Sequence, residues 1–272
     1  MYCPSCRGEY REGFDWCSDC EVALVEALPE EPEESELQEE AGEEETEEPE
    51  SPAAPSDREA RDFRALELGM VLVVAFLTPL ASSIWRWWNN APVPKSNGSF
   101  TELLFYFTGD LGPLLVLVYV LYRQGRSLKD IGLTVRGSDL PLGLALCIAS
   151  FLPLLVRSLA TGEDPAGWAS QLAFSAISPL LLLTFLVAAT FEELIARAYM
   201  ITAVSELTGS AFLAIASSVC LQALYHIHYG GRAAVSSAGT FLIYSLFYWK
   251  TRRITPVILG HFGHNVLISM FQ

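Results

Sequence analysis

The hydrophobic positions of this chain fall into long, nearly unbroken runs rather than alternating or narrow-stripe patterns. From Leu66 onward, seven stretches are almost wholly apolar: residues 66–86, 101–122, 140–160, 172–203, 210–229, 234–249 and 254–271. A helix rising about 1.5 Å per residue needs about 20 such residues to cross a hydrocarbon core of ~30 Å. The pattern therefore predicts an all-α polytopic membrane protein with about seven transmembrane helices. Three runs depart from the ideal. The second carries Glu102 and Asp110, the fourth is too long for one perpendicular span, and the sixth is short enough to be tilted or re-entrant.

Ahead of these runs the pattern is missing. Fourteen glutamates and no basic residue stand between Glu26 and Glu50, accounting for all but one unit of the formal net charge of −15. The acidity thus belongs to one segment, and the apolar body is nearly neutral. Like-charge repulsion and the lack of large apolar residues predict that residues 26–57 are an acidic disordered linker.

Residues 1–25 differ again, holding four of the six cysteines. Cys3-Pro4-Ser5-Cys6 and Cys17-Ser18-Asp19-Cys20 are two C-x-x-C pairs ten residues apart. Each pair can form a tight knuckle, and together they supply the four thiolates of a tetrahedral zinc site. No charged-then-apolar leader marks this end for export, which favours a metal over disulfides. Tyr2, Tyr10, Phe14 and Trp16 offer a little apolar cover, too little to fold without a metal. The segment is similar to the short zinc ribbons at the N-termini of many bacterial proteins. A ribbon of this size can recruit a cytoplasmic partner, and the missing basic patch argues against nucleic acid. Three parts are expected: a ribbon at 1–25, a linker at 26–57 and a transmembrane domain at 58–272.

Charges between the apolar runs set an orientation. Arg58, Arg61 and Arg64 precede the first run; Arg123, Arg126, Lys129 and Arg136 separate the second and third; Lys250, Arg252 and Arg253 separate the sixth and seventh. The loop after the third run offers only Glu163 and Asp164. With seven spans, all the basic clusters share a side, which the positive-inside rule makes cytoplasmic. The expected location is the bacterial cytoplasmic membrane, multi-pass, with the N-terminus inside. Trp85, Trp87 and Trp88 suit the opposite interface as an aromatic belt.

Candidate chemistry sits in the last four runs. All four histidines lie between His226 and His264, within or at the ends of apolar helices. Ionisable groups at membrane depth are costly and mark functional sites. Glu193 and Arg197 are four residues apart, so they share a helix face and can pair in the favourable Glu-first order. Glu192 points elsewhere and lacks that partner, as suits a general base or a metal ligand; the bland alternative is a pair of solvated interfacial glutamates. Glu192 lies sixteen residues before the turn near Thr208 and His226 eighteen after it, so both sit roughly 25 Å from that turn. On the last helix, His261 and Asn265 share a face. Counted from Arg253, His261 is only about 12 Å deep, so the depths agree if the hairpin at Thr208 extends into the cytoplasm.

An E-E-x-x-x-R helix, a following helix ending in His and a last helix with H-x-x-x-N resemble the three motifs of the CAAX-prenyl-endopeptidase and bacteriocin-processing (CPBP, or Abi) family of intramembrane proteases. Ser127-Leu128-Lys129-Asp130-Ile131-Gly132-Leu133 is similar to that family's connector before the core. The resemblance covers roughly residues 100–272, with a motif core at about 127–272. It departs at one point: the second motif is F-x-x-x-H in the family, but Gln222 stands four residues before His226. His226 is preferred to His228 because Tyr-His-Ile before a Gly-containing turn is similar to the family context.

The resemblance implies an endopeptidase acting on membrane-associated proteins or peptides near the cytoplasmic face. Glu192 and His226 would activate water, His261 and Asn265 would stabilise the oxyanion, and Glu193 and Arg197 would hold the fourth helix in register. Family members have been described both as metalloproteases and as glutamate proteases, and a divalent metal at Glu192, His226 and His261 is compatible with the residues. The alternative is a non-catalytic membrane scaffold or immunity-type protein whose ribbon recruits a cytoplasmic partner; Gln222 and the added ribbon favour it. A transporter is disfavoured by the lack of paired Gly/Pro-broken helices.

Overall fold

The computed structural model describes residues 1–6, 8–9, 15–17, 20, 22–26, 57–92, 99–162 and 178–270. It divides into two compact units, Met1–Ala54 and Pro55–Gln272. The expected linker falls almost wholly outside the described residues, as do Tyr10, Phe14, Glu163 and Asp164.

In the first unit, β1 (Trp16–Cys17) pairs antiparallel with β2 (Val22–Ala23), Cys17 opposite Val22. Tyr2 and Val25 exchange backbone hydrogen bonds of 2.7 and 2.8 Å, tying the first knuckle to the end of this hairpin. Its small core is Cys3, Cys17 and Leu24, with Met1, Cys20 and Val22 packed against it. Trp16, expected as apolar cover, is exposed instead. Its neighbour Cys17 is buried, and successive strand residues face opposite sides.

The second unit is α-helical and membrane-integral. Among the described residues it contains seven helical segments: α1 (Asp57–Trp88), α2 (Phe100–Arg123), the broken pair α3 (Asp139–Ala149) and α4 (Leu152–Thr161), a rod made of α5 (Pro179–Glu192), a π-helical stretch (Glu193–Tyr199) and α6 (Met200–Thr208), then α7 (Ala211–Tyr225), α8 (Gly231–Thr251) and α9 (Thr255–Ser269). Four are long and apolar enough to cross a membrane: Arg58–Trp88, Phe100–Arg123, Asp139–Thr161 and Pro179–Thr208. The apolar α7 is shorter. The sixth segment, expected to be short, is a helix of 21 residues, because its ends are polar and do not register in the apolar run.

Two boundaries differ from the apolar pattern for identifiable reasons. Helix α1 begins nine residues before Leu66, through Asp57-Arg58-Glu59-Ala60-Arg61, a mostly charged run in which Arg, Glu and Ala favour helix. This extension has a use: Arg61 donates to the Leu207 carbonyl at 2.7 Å, satisfying an orphan carbonyl at the C-terminal end of α6. The third span breaks at Ser150–Phe151, where Pro153 cannot donate to Ala149 and its ring clashes there.

The last helix is held close to α3 by glycines. A Cβ on Gly260 would lie 2.8 Å from Leu146 Cβ, and one on Gly143 would lie 2.7 Å from Leu259 Cβ. Small residues let backbones approach where lipid offers no hydrophobic drive for helix association. The connector between α2 and α3 is fixed as tightly. The Ser127 N–H and hydroxyl both donate to Asp130, holding its carboxyl below the usual carboxylate range. Ile131 is buried, and Gly132 has φ +93° with its α-carbon against Arg252; a Cβ there would come within 2.3 Å of the Arg252 carbonyl oxygen. The Tyr248 hydroxyl lies 3.0 Å from the Ile131 carbonyl, 3.1 Å from that of Ala198 and 3.0 Å from Thr202 Oγ1, so α8 locks the connector to the α5–α6 rod.

Candidate active site

The polar residues of the apolar core are gathered where the α5–α6 rod changes its winding. Glu193–Tyr199 is π-helical, the i→i+5 pattern that recurs in single turns at functional sites. All seven residues of this stretch are buried. Arg197 Nη1 lies 3.0 Å from Glu193 Oε1, with both side chains wholly excluded from solvent. The guanidinium also lies over the Phe241 ring of α8, 4.4 Å from its centroid, a cation–π contact.

Glu193 has a second partner. His261 Nδ1 on α9 lies 2.7 Å from the same Oε1. An ionised carboxylate only accepts, so Nδ1 carries the proton and Nε2 is turned to the remaining side of the ring. His261, expected to share a helix face with Asn265, is in addition tied to Glu193. Asn265, one turn further along α9, is half-buried and makes no hydrogen bond among the described residues.

His226 ends α7. Its Nδ1 donates to the Gln222 backbone carbonyl at 2.9 Å, which leaves Nε2 of the neutral ring with the lone pair. The ring packs against Phe241 and Tyr225, with centroids 4.9 and 4.8 Å away. Phe241 therefore stands among His226, Arg197 and His261, whose ring centroid is 6.1 Å from it. Glu192 is buried beside this group and has no direct ion pair among the described residues.

Gln222 fills that gap. The side chain is wholly buried and lies between Glu192 and Arg197. One amide orientation gives both ends a complementary partner: the NH₂ donates to Glu192 Oε2 at 3.2 Å, and the carbonyl oxygen accepts from Arg197 Nη1 at 2.8 Å. The opposite orientation would set oxygen against carboxylate and N–H against guanidinium. A continuous polar chain results, Glu192–Gln222–Arg197–Glu193–His261, spanning the π-helical stretch, α7 and α9.

The other two histidines are anchors. The Ser150 hydroxyl donates to the Cys147 carbonyl at 2.6 Å, so His264 Nδ1, 2.7 Å from the same oxygen, donates to it. With Thr240 donating to the Ser150 carbonyl at 2.8 Å, the break between α3 and α4 is pinned to α8 and α9. His228 Nδ1 lies 2.8 Å from Ser83 Oγ, whose hydroxyl donates to the Tyr225 carbonyl at 2.6 Å, fastening the end of α7 to α1. Sequence reasoning also passed over buried Glu67, which accepts from Gln124 at 2.7 Å.

Two adjoining apolar cavities of about 240 and 220 Å³ lie between α2 and α5 and share Phe107 and Val187. Asp110 and Thr190 line the larger, Thr190 two residues before Glu192.

In the ribbon, the ligand atoms of Cys3, Cys6, Cys17 and Cys20 all lie within 4.8 Å of one another. Tetrahedral zinc with sulfur at about 2.3 Å asks for roughly 3.8 Å between sulfurs, so this set fits a metal ion closely. The Cys6 N–H points at Cys3 Sγ, 3.5 Å away, as in a metal knuckle. The Cys6 thiol first, then burial and the Cys17 and Cys3 thiols, push Cys20 up to about 12. A divalent cation reverses that balance, because a coordinating thiol is deprotonated outright. Among the described residues no other three or more His, Cys, Asp or Glu ligand atoms are gathered this way; Glu192, His226 and His261 are not drawn together as a ligand set.

Residues 174–267 match the family model of the type II CAAX prenyl endopeptidase Rce1-like proteins. The match covers the whole polar chain from Glu192 to His261, and Asn265. Comparisons with curated proteins and with solved structures gave no match.

Proposed function

We propose that the chain is an intramembrane endopeptidase in which Glu192 is the general base, and the observation that carries this is its setting. It is a buried carboxylate without a direct ion pair among the described residues, in a site where the Nε2 atoms of His226 and His261 make no hydrogen bond among those residues. The Rce1-like match supports the reaction class.

Amide hydrolysis needs an activated water and a donor for the oxyanion. Glu192 takes a proton from water as the oxygen bonds to the scissile carbonyl carbon. His226 Nε2 accepts a hydrogen bond from that water and orients it. His261 acts as the imidazolium: Nδ1–H is held by Glu193, whose carboxylate offsets the charge of the ring as in a catalytic triad, and Nε2–H donates to the oxyanion. Asn265, free of other hydrogen bonds among the described residues, supplies a second donor. When the tetrahedral adduct collapses, the C–N bond breaks and the Glu192 proton passes to the leaving amine.

The apolar cavities between α2 and α5 offer an approach from the lipid side for the apolar part of a membrane-associated protein or peptide substrate. The positive-inside bias of the basic loops supports a cytoplasmic N-terminus and a cytoplasmic loop 124–138; reagent from outside intact cells reaching cysteines placed at 126–136 would overturn that. The ribbon holds zinc and serves a cytoplasmic protein partner.

Glu192→Gln keeps the shape and removes the base, so turnover should fall by orders of magnitude while folding survives. Comparing membrane proteomes of wild type and this variant tests it, together with cleavage of an internally quenched peptide ending in a farnesylated CAAX box. Undiminished cleavage by the variant would remove Glu192 from the mechanism.

A further inference from the structure

The geometry points to Gln222 as a positioning residue that fixes the Glu192 carboxylate and couples it to the Arg197–Glu193–His261 chain; this rests on the proposed role of Glu192. Gln222 is the residue at which the second motif departs from the family pattern, and a departure of that kind can signal lost activity. The structure gives it a different sense. A wholly buried amide is costly unless both its ends are hydrogen-bonded. Here the ends are matched to groups of opposite character, a carboxylate oxygen at 3.2 Å and a guanidinium nitrogen at 2.8 Å.

Gln222 acts in three ways at once. By donating to Glu192 Oε2 it commits one oxygen and leaves Oε1 to take the proton of the water. By accepting from Arg197 Nη1 it holds the guanidinium that Glu193 also binds at 3.0 Å. Through its backbone carbonyl it fixes the His226 ring with Nε2 outward. A phenylalanine could repeat only the last. The Glu192 carboxylate would then lose its N–H donor, and its orientation would rest on packing alone. This chain thus carries the polar bridge on α7 within its own site, and hydrogen bonds and the Arg197–Glu193 ion pair join the base to the oxyanion-side histidine.

The test uses the full chain in detergent. Gln222→Met keeps the length and removes the amide. Gln222→Glu keeps an acceptor for Arg197 but removes the donor to Glu192. On the quenched farnesylated CAAX peptide, Gln222→Met should lower kcat about ten- to a hundredfold, the range for a hydrogen bond to a charged group, and leave KM within about twofold. Gln222→Glu should also lose kcat, although Arg197 stays paired. In a Glu192→Gln background, Gln222→Met should change the residual rate no further, because the group it positions is gone; a merely structural role would add its loss. Wild-type kcat in Gln222→Met, alongside a large loss in Glu192→Gln, would overturn the inference and leave the proposed function standing. Full activity in Glu192→Gln would instead overturn the proposed function. A readout independent of turnover is the infrared carboxyl band of Glu192, isolated by difference against Glu192→Gln. It should move in Gln222→Met, and an unmoved band would sink the inference whatever the enzyme cleaves.

Discussion

Glu193 and His261, 68 residues apart in sequence, meet at 2.7 Å inside the helical bundle, Nδ1 of the ring donating to the carboxylate that also holds Arg197. This contact joins the π-helical stretch to α9 and makes the two adjacent glutamates unlike in kind. Glu193 is spent on two partners within the fold. Glu192 is left with a single amide donor among the described residues.

The two glutamates should therefore fail differently. Glu193→Gln leaves Arg197 without a carboxylate in a solvent-free setting, and breaking one side of a buried pair costs about 3–5 kcal/mol. Stability and turnover should fall together, since His261 loses its anchor. Thermal unfolding in detergent, run beside Glu192→Gln, checks this. Equal stability in the two variants would show that the Glu193 pair is not structural.

Much of the architecture is written in the apolar runs, because roughly 20 consecutive apolar residues have few destinations other than a lipid bilayer. What the runs conceal is polar helix and local winding. Residues 57–65 extend α1 with Phe63 as their one large apolar side chain. The break at Ser150 follows from Pro153, a signal that was present and was overridden by the continuity of the run. The π-helical stretch left no such trace, since a shift from i→i+4 to i→i+5 bonding does not alter which residues are apolar. In the site, Glu193 and Arg197 could be paired by spacing because their contact is local. Gln222 was legible only as a departure from a motif; its bridging position depends on where α7 crosses the rod, and no one-dimensional pattern records that crossing. The same holds for His264 and Ser150, 114 residues apart.

Helix α9 carries His261 and Asn265, so its distance from α3 should set their placement. Gly260→Ala puts a Cβ 2.8 Å from Leu146 Cβ and 3.2 Å from the Gly143 carbonyl oxygen, neither of which can rotate aside. Forcing the helices apart should cost about 1–3 kcal/mol, and turnover should fall with it, because His261 is the next residue. At Gly112 nothing lies within 4 Å of an added Cβ, so Gly112→Ala is the matched control and should not destabilise. A Gly260→Ala protein as stable and active as that control would show that the α3–α9 contact tolerates displacement.

The ribbon should bind one zinc per chain through Cys3, Cys6, Cys17 and Cys20. Cys17→Ser should abolish stoichiometric binding, since Cys17 is a core residue of this unit as well as a ligand. Membrane insertion should be unaffected, because the apolar helices supply it. Elemental analysis of the purified full chain and its Cys17→Ser variant measures the first effect, and membrane fractionation the second. Equal zinc content in the two proteins would remove the cysteines as the metal site.

Asn265 offers the cleanest separation of chemistry from stability. It lies one turn beyond His261 on α9, half-buried, with no hydrogen bond among the described residues. Its truncation removes no hydrogen bond among the described residues, and Asn265→Ala should stay within about 0.5 kcal/mol of wild type, as substitutions away from buried networks do. If its amide donates to the developing oxyanion, the loss appears only in the transition state, at about 10²–10³-fold in kcat. KM should change little, because the ground-state carbonyl carries less charge than the adduct. His261→Ala should cost at least as much in kcat and should also weaken the fold, because the buried Glu193 carboxylate loses one of its two partners. Measuring kcat, KM and unfolding temperature for both variants resolves the two roles. An Asn265→Ala enzyme with unchanged kcat would confine oxyanion stabilisation to His261.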